Sequence, residues 1–323
     1  MERAVHPFRD DVLAGLAQRQ KAVPARWLYD DAGSQLFEDI TRLPEYYPTR
    51  AETEILTNRS AEFAGMIGAG GVVVEFGSGS SVKTPLLLRA ISPAAYVPID
   101  ISGDFLRQAA ADLQEYFPAM PIYPIEADFM RPVTLPAAIA PHPKLGFFPG
   151  STIGNMVPAT AVDLLRSIKA TLAEGWNGDP TDAPKLLIGM DLVKDPAVLL
   201  AAYDDAQGIT ARFNTNLALR INRELSGDLP VDALAHRAVW NDDFARIEMH
   251  LEALRDVEFT VAGHRFTLQR GETIHTENSH KFTRRSCALL LEAGGWTPLQ
   301  RWLDNAARFS LILACASETR SAP

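Results

Sequence analysis

Val72-Val-Val-Glu-Phe-Gly-Ser-Gly-Ser-Ser81 is the stretch from which the fold can be read. Three β-branched residues, an acid and Phe76 make a short, nearly continuous apolar run of the kind that fills a buried strand. Gly77 and Gly79 then give a tight turn that a ligand can approach closely, because neither carries a Cβ. Beyond Ser81, Thr84 is placed to cap a helix, and Pro85 suits its first turn, where no backbone N–H is needed. Strand, Gly-x-Gly turn and helix form the first half of a nucleotide-binding α/β unit. Many Gly-rich turns bind nothing, so the flanking sequence has to decide.

Outward from that stretch, helix and strand alternate. A helical pattern over 52–67 leads into the strand. Ala94-Ala-Tyr-Val-Pro-Ile-Asp100 predicts the second strand, and Ser102 opens a helix with Phe105, Leu106, Ala109, Leu113 and Tyr116 at helical spacing. Met120–Asp128 predicts a third strand, whose prolines suit a sheet edge. Lys144–Ser151 is a fourth; a helix over 159–172, the loop Trp176–Pro184 and a fifth strand, Lys185–Leu192, follow. Such an alternation demands right-handed crossovers and a parallel sheet covered on both faces, with ligands at the carboxyl ends of its strands. Glu75, Gly77, Ser78, Asp100, Asp128, Ser151 and Asp191 gather at those ends. A helix over 286–293 and strands over 300–303 and 309–316 bring the α/β pattern back at the end of the chain.

Two regions do not follow this alternation. Thr41–Pro48 holds two prolines and two tyrosines, which excludes a regular helix or a central strand and predicts a rigid aromatic loop. After Asp195-Pro196 come helices over 197–225 and then extended pieces. In Arg246–Glu252, Ile247, Met249 and Leu251 share one face. Val257–Val261 and Arg265–Gln269 predict a hairpin about Gly263, and Thr273–Ser279 is a further extended segment. This is an α+β module inserted late in an α/β chain.

Composition narrows the function. A net charge of −9 argues against a nucleic-acid backbone as the main partner, which would call for a basic face. Cys287 and Cys315 lie in apolar runs, as buried free thiols of a reducing cytosol do. The first residues carry acids where a signal peptide needs an apolar core, and no apolar run approaches the roughly 18 residues of a membrane span. A cytoplasmic protein without a membrane partner is expected. His250, His264, His275 and His280 follow no metal-ligand spacing along the chain, so no metal is expected.

The ligand class rests on a few positions. Asp100 stands 23 residues after Gly77, at the end of the second strand, where a carboxylate receives ribose hydroxyls in NAD enzymes and S-adenosylmethionine enzymes alike. An NAD fingerprint wants a third glycine at position 82, where this chain has Val82. Glu75 suits a donor amino group better than a pyrophosphate. Asp128-Phe129 offers an acceptor and an aromatic face for adenine. The balance favours a methyl donor, with a nicotinamide-dependent oxidoreductase as the alternative.

Longer strings carry a resemblance. They are Thr41-Arg-Leu-Pro-Glu-Tyr-Tyr-Pro-Thr-Arg50, Glu75-Phe-Gly-Ser-Gly-Ser-Ser81, Gly150-Ser-Thr-Ile-Gly-Asn155, Asp191-Leu-Val-Lys-Asp195, Ala202-Tyr-Asp-Asp205, Asn222-Arg-Glu-Leu225, Arg246-Ile-Glu-Met249 and Thr276-Glu-Asn-Ser-His-Lys-Phe282. Together they resemble the L-histidine Nα-methyltransferases of ergothioneine biosynthesis, a family that also includes N-methyltransferases of tryptophan-like substrates. The resemblance implies a Rossmann-like, seven-stranded class I methyltransferase sheet over 51–195 and 283–323, with an α+β substrate-binding domain over 1–50 and 196–282. It implies S-adenosylmethionine as donor, held by Gly77, Lys83, Asp100, Asp128 and Phe129. It implies L-histidine as substrate, contacted by Tyr46, Asn155, Tyr203, Met249, Glu277 and Ser279 and trimethylated to hercynine. By themselves Tyr203 and Met249 read as core residues and Glu277 as a solvated strand charge; the resemblance assigns all six together. The chain departs from the family in the Pro-rich loop Trp176–Pro184 and in Leu28, where an aromatic residue is common.

Overall fold

A computed structural model describes residues 6–79, 83–176, 179 and 182–317. Val82, with Ser80 and Ser81, and the middle of the loop Trp176–Pro184 lie outside the described residues.

The chain opens with α1 (Pro7–Leu16), a short β1 (Lys21–Ala22) and α2 (Asp31–Thr41). There follow α3 (Tyr47–Asn58), α4 (Ser60–Ile67), β2 (Val72–Phe76), α5 (Thr84–Ile91), β3 (Ala95–Asp100), α6 (Gly103–Tyr116), β4 (Ile125–Glu126), β5 (Lys144–Phe148), α7 (Pro158–Leu172) and β6 (Lys185–Asp191). Next come α8 (Pro196–Tyr203), α9 (Ile209–Glu224), β7 (Leu234–Asn241), β8 (Arg246–Ala253), β9 (Val257–Val261), β10 (His264–Leu268) and β11 (Thr273–His280). The chain closes with α10 (Arg284–Ala293), β12 (Trp296–Leu303) and β13 (Phe309–Ala316). It forms two compact units: residues 48–193 with 281–323, and residues 1–47 with 194–280.

The first unit is α/β. Its sheet runs β12-β13-β6-β5-β2-β3-β4. β2 through β6 pair in parallel, and β13 lies antiparallel to both β6 and β12. β2 is buried along its whole length because helices cover both faces. Val72, Val74 and Phe76 pack into one core, while Val73 packs into another with Leu87, Tyr96 and Phe147. Each such valine contributes about 1.5–3 kcal/mol relative to an exposed one.

Local details differ from the sequence-based expectations. The third strand shrinks to β4 and a bridge between Tyr96 and Ile122, because Pro121 and Pro124 remove donors the ladder needs. The helical pattern over 52–67 is two helices that meet at Arg59. Thr84 does not cap α5: Lys83 holds that position, and the Thr84 hydroxyl donates to Glu75 instead. Ser102 does precede α6, but its side chain makes no capping bond.

The second unit is α+β. Its four-stranded sheet has the order β1-β11-β8-β7, and β9 and β10 form a separate hairpin. β8 alternates strictly, with Ile247, Met249, Leu251 and Ala253 buried. These side chains pack with Leu199 of α8 and with Phe213, Leu217 and Ile221 of α9. β11 pairs antiparallel with β8, with a bulge between His275 and Glu277.

Candidate functional site

Gly77 and Gly79 adopt φ of +69° and +49°, left-handed values that a side chain would strain. A Cβ on Gly77 would meet the Phe129 ring at 3.5 Å, whereas one on Gly79 would enter open space. The turn is clamped by the neighbouring strand. The Gly77 N–H donates to the Ile99 carbonyl at 2.8 Å. Asp100 accepts from the Gly79 N–H at 3.1 Å through Oδ2 and from the Ser102 N–H at 2.9 Å through Oδ1. Its carboxylate is half-buried at the carboxyl end of β3. Phe129 lies edge-on to Phe76 and Phe148, with ring centroids 6.4 and 5.9 Å away. Asp128, beside it, is exposed and accepts from the Met130 N–H at 3.0 Å. Gly77, Gly79, Asp100 and Phe129 are thus brought to one end of the sheet.

Two acids behind this turn act differently from what their positions in the sequence suggest. Glu75 does not face a ligand. It is buried, and its Oε2 accepts from Tyr96 at 2.6 Å and from Thr84 at 2.7 Å, so it ties β2, β3 and the start of α5 together. Burial pushes its carboxyl up to about 7, although the Tyr96 and Thr84 hydroxyls and the Lys83 ammonium work the other way. Glu52 carried no local signal, since an acid in a helical stretch ordinarily faces water. Here it is fully buried, forms an ion pair with Lys83, and accepts from the Gly150 N–H at 3.0 and 3.1 Å. Lys83 is therefore held by a buried carboxylate at the same end of the sheet.

Asn155 ends a 3-10 turn, Thr152–Asn155, entered through Gly150 and Ser151, both at positive φ. The Ser151 hydroxyl accepts from the Asp191 N–H at 2.9 Å, and the Asp191 carboxylate pairs with Lys281 at 2.8 Å, both side chains buried.

The other substrate candidates sit in the α+β unit and converge. Met249 and Glu277 are directly opposed across β8 and β11, as are Ile247 and Ser279, so Met249, Glu277 and Ser279 share the buried face. The bulge after His275 keeps Glu277 and Ser279 inward, with Asn278 half-buried between them. The Tyr203 and Ser279 hydroxyls are 2.6 Å apart. The Tyr46 ring meets the Tyr203 ring edge-on at 6.3 Å and is backed by Phe37 at 6.2 Å.

A polar network that sequence reading missed holds this face. The Tyr203 carbonyl accepts from His236 Nε2 at 2.8 Å, leaving His236 Nδ1 to accept from the Asn214 amide at 2.9 Å. Asn214 in turn donates to the His250 carbonyl at 3.0 Å and accepts from the Thr276 hydroxyl at 2.6 Å. Burial lowers the pKa of His236, consistent with this neutral tautomer. The arrangement offers a buried carboxylate, two linked hydroxyls, an aromatic wall and a flexible apolar side chain.

Comparison with known proteins follows the same lines. A family profile described as "Histidine-specific methyltransferase, SAM-dependent" matches residues 8–316. The histidine N-alpha-methyltransferase of Mycolicibacterium smegmatis is 41% identical over 321 residues, spanning 97% of this chain and 96% of that protein. Ergothioneine biosynthesis protein 1 of Neurospora crassa is 30% identical over 295 residues, 87% of this chain and 32% of that protein. Among solved structures, the magnesium protoporphyrin IX methyltransferase of Synechocystis PCC 6803 aligns with a TM-score of 0.50 at 9% identity, over 90% of this chain and 98% of that one. This last likeness is one of fold.

Proposed function

The chain belongs to the family of histidine-specific, S-adenosylmethionine-dependent methyltransferases, and from that premise we propose that it trimethylates the α-amine of L-histidine to hercynine in ergothioneine biosynthesis. The likeness to the mycobacterial enzyme along almost the whole chain supports the acceptor; the likeness to the fungal protein supports the pathway. The observation that carries the acceptor assignment is the buried Glu277, opposite Met249 and next but one to Ser279.

The residues at the carboxyl end of the α/β sheet fit the donor. The open backbone at Gly79 and the Phe129 ring beside Gly77 make a cradle that a Cβ would narrow. Asp100 presents a half-buried carboxylate suited to vicinal ribose hydroxyls. Gly77, Lys83, Asp100, Asp128 and Phe129 would hold the donor, with Glu52 fixing Lys83. When bound, S-adenosylmethionine supplies a sulfonium-activated methyl group.

In the α+β unit, Glu277 accepts the imidazole N–H, and Ser279, hydrogen-bonded to Tyr203, serves the other ring nitrogen. Met249 packs against the ring, and Tyr46 walls the pocket. Asn155 is assigned to the substrate carboxylate, adding hydrogen bonds without charge. Each transfer would need a neutral amine lone pair presented to the donor's methyl group, so that a C–N bond could form as the C–S bond broke, leaving S-adenosylhomocysteine. Beginning from the ammonium form, three transfers release three protons and leave a trimethylammonium. Orientation is the main demand on the protein.

Incubation of the purified protein with S-adenosylmethionine and each common amino acid, read by mass spectrometry, tests this. A gain of three methyl groups on histidine is expected. Turnover on tryptophan alone, or on none, would refute it.

A further inference from the structure

On the outward face of the α+β sheet, three side chains absent from the site described above come together. Register places His250 of β8 directly opposite His275 of β11, and Glu248 lies two residues from His250 on the same face. The two imidazoles stack with centroids 4.7 Å apart and planes inclined by 19°. One ligand atom from each of Glu248, His250 and His275 lies within 4.8 Å of the other two. We propose that these three residues bind a single divalent transition-metal ion, for which Zn2+ is the best match.

The orientation of each side chain supports this assignment. His275 Nε2 is 3.0 Å from the Glu277 carbonyl, which accepts only, so the proton sits on Nε2 and Nδ1 is the nitrogen that would bind the ion, with the Asn278 side chain also hydrogen-bonded to this ring. His250 Nδ1 is 3.1 Å from the Thr273 hydroxyl, and its Nε2 is 3.2 Å from Glu248 Oε2. Each histidine therefore has an oxygen on its second nitrogen, the arrangement that orients metal-bound imidazoles. Glu248 Oε1 accepts from Arg246 at 2.6 Å and from Asn241 at 2.9 Å, which leaves Oε2 on the histidine side.

Two imidazoles and a carboxylate are a borderline-soft set that suits Zn2+ rather than Ca2+ or Mg2+. Ligand atoms around Zn2+ stand about 3.4 Å apart, given bond lengths of about 2.0–2.1 Å and tetrahedral angles. Ring rotation about χ1 and χ2 supplies the remaining approach, and the ion replaces the direct Glu248–His250 hydrogen bond. The Arg246 guanidinium opposes the cation and weakens the site. Linear spacing cannot reveal it, because 25 residues separate His250 from His275 and only the β8–β11 register joins them.

The test uses tag-free full-length protein in a histidine-free, non-chelating buffer, titrated with Zn2+ against a chromophoric chelator. One ion per chain is expected, with Ca2+ failing to compete. His275→Ala and His250→Ala should each weaken binding at least tenfold, and Arg246→Gln should tighten it several-fold. Circular dichroism and unfolding temperature monitor folding. If a histidine variant fails to fold, X-ray absorption on the zinc-loaded wild type decides, with two imidazole nitrogens and an oxygen expected. No stoichiometric binding, unchanged affinity in folded histidine variants, or a shell lacking two imidazoles would overturn the proposal.

Discussion

Glu277 and Glu75 are both buried carboxylates, and their surroundings give them different work. Glu277 lies on the buried face of β11, which it shares with Ser279 of the Tyr203–Ser279 hydroxyl pair. On the proposed assignment, removing its charge takes away an acceptor for the imidazole N–H, a loss of about 1–3 kcal/mol. Glu277→Ala should therefore weaken histidine binding by roughly tenfold or more while leaving S-adenosylhomocysteine binding unchanged, as calorimetry would read for each ligand. Equal histidine affinity in variant and wild type would remove Glu277 from the pocket. Glu75 governs stability instead. Its carboxyl titrates near 7 when folded, against an ordinary value of 4.5. Between those pH values the folded chain holds a proton that the unfolded chain has released. That stabilising contribution is complete below pH 4.5 and is lost as pH rises through about 7. Glu75→Gln cannot ionise, so its unfolding temperature should fall less than the wild type's between pH 5 and pH 8. Parallel curves would contradict the assignment.

Among elements, the strand–turn–helix of β2 and α5 shows how local sequence and distant contacts divide the work. The turn depends on backbone that only glycine adopts without strain. Gly77→Ala places a Cβ at φ +69° and 3.5 Å from Phe129, costing about 1–2 kcal/mol. The expected result is a folded protein with reduced S-adenosylhomocysteine affinity in a titration; undiminished affinity would argue that this turn does not contact the donor. Glu52→Ala leaves Lys83 without its buried carboxylate and the Gly150 N–H without an acceptor, a loss of about 3–5 kcal/mol for a broken buried pair. A drop in the denaturant midpoint well beyond that of an exposed variant such as Glu115→Ala would show it. The strictly alternating β8 was legible because its two faces meet different surroundings. β7 was not, since Leu234–Asn241 is half-exposed along most of its length and shows no period of two. Thr84 reads locally as a cap, yet the carboxylate that claims its hydroxyl comes from the preceding strand.

At the scale of the whole molecule, a ligand that binds only the folded chain raises stability by mass action, about 2.7 kcal/mol at a hundred times its Kd. S-adenosylhomocysteine at that excess should raise the unfolding temperature by several degrees, and NAD+ at equal concentration should not. A shift with NAD+ alone would revive the oxidoreductase alternative. The antiparallel closing strand followed only from the family resemblance, while the sequence itself established the parallel α/β sheet, the inserted α+β module and the glycine turn. Those are properties of apolar periodicity and of backbone conformations allowed to Gly and Pro, which neighbouring residues specify. It did not establish that Glu75 braces the turn from behind, that Glu52 holds Lys83, that His236 and Asn214 fix Tyr203, or that His250 faces His275. Each of these depends on which strand lies beside which, and in what register, and partners between 9 and 98 residues apart meet only once the chain has packed.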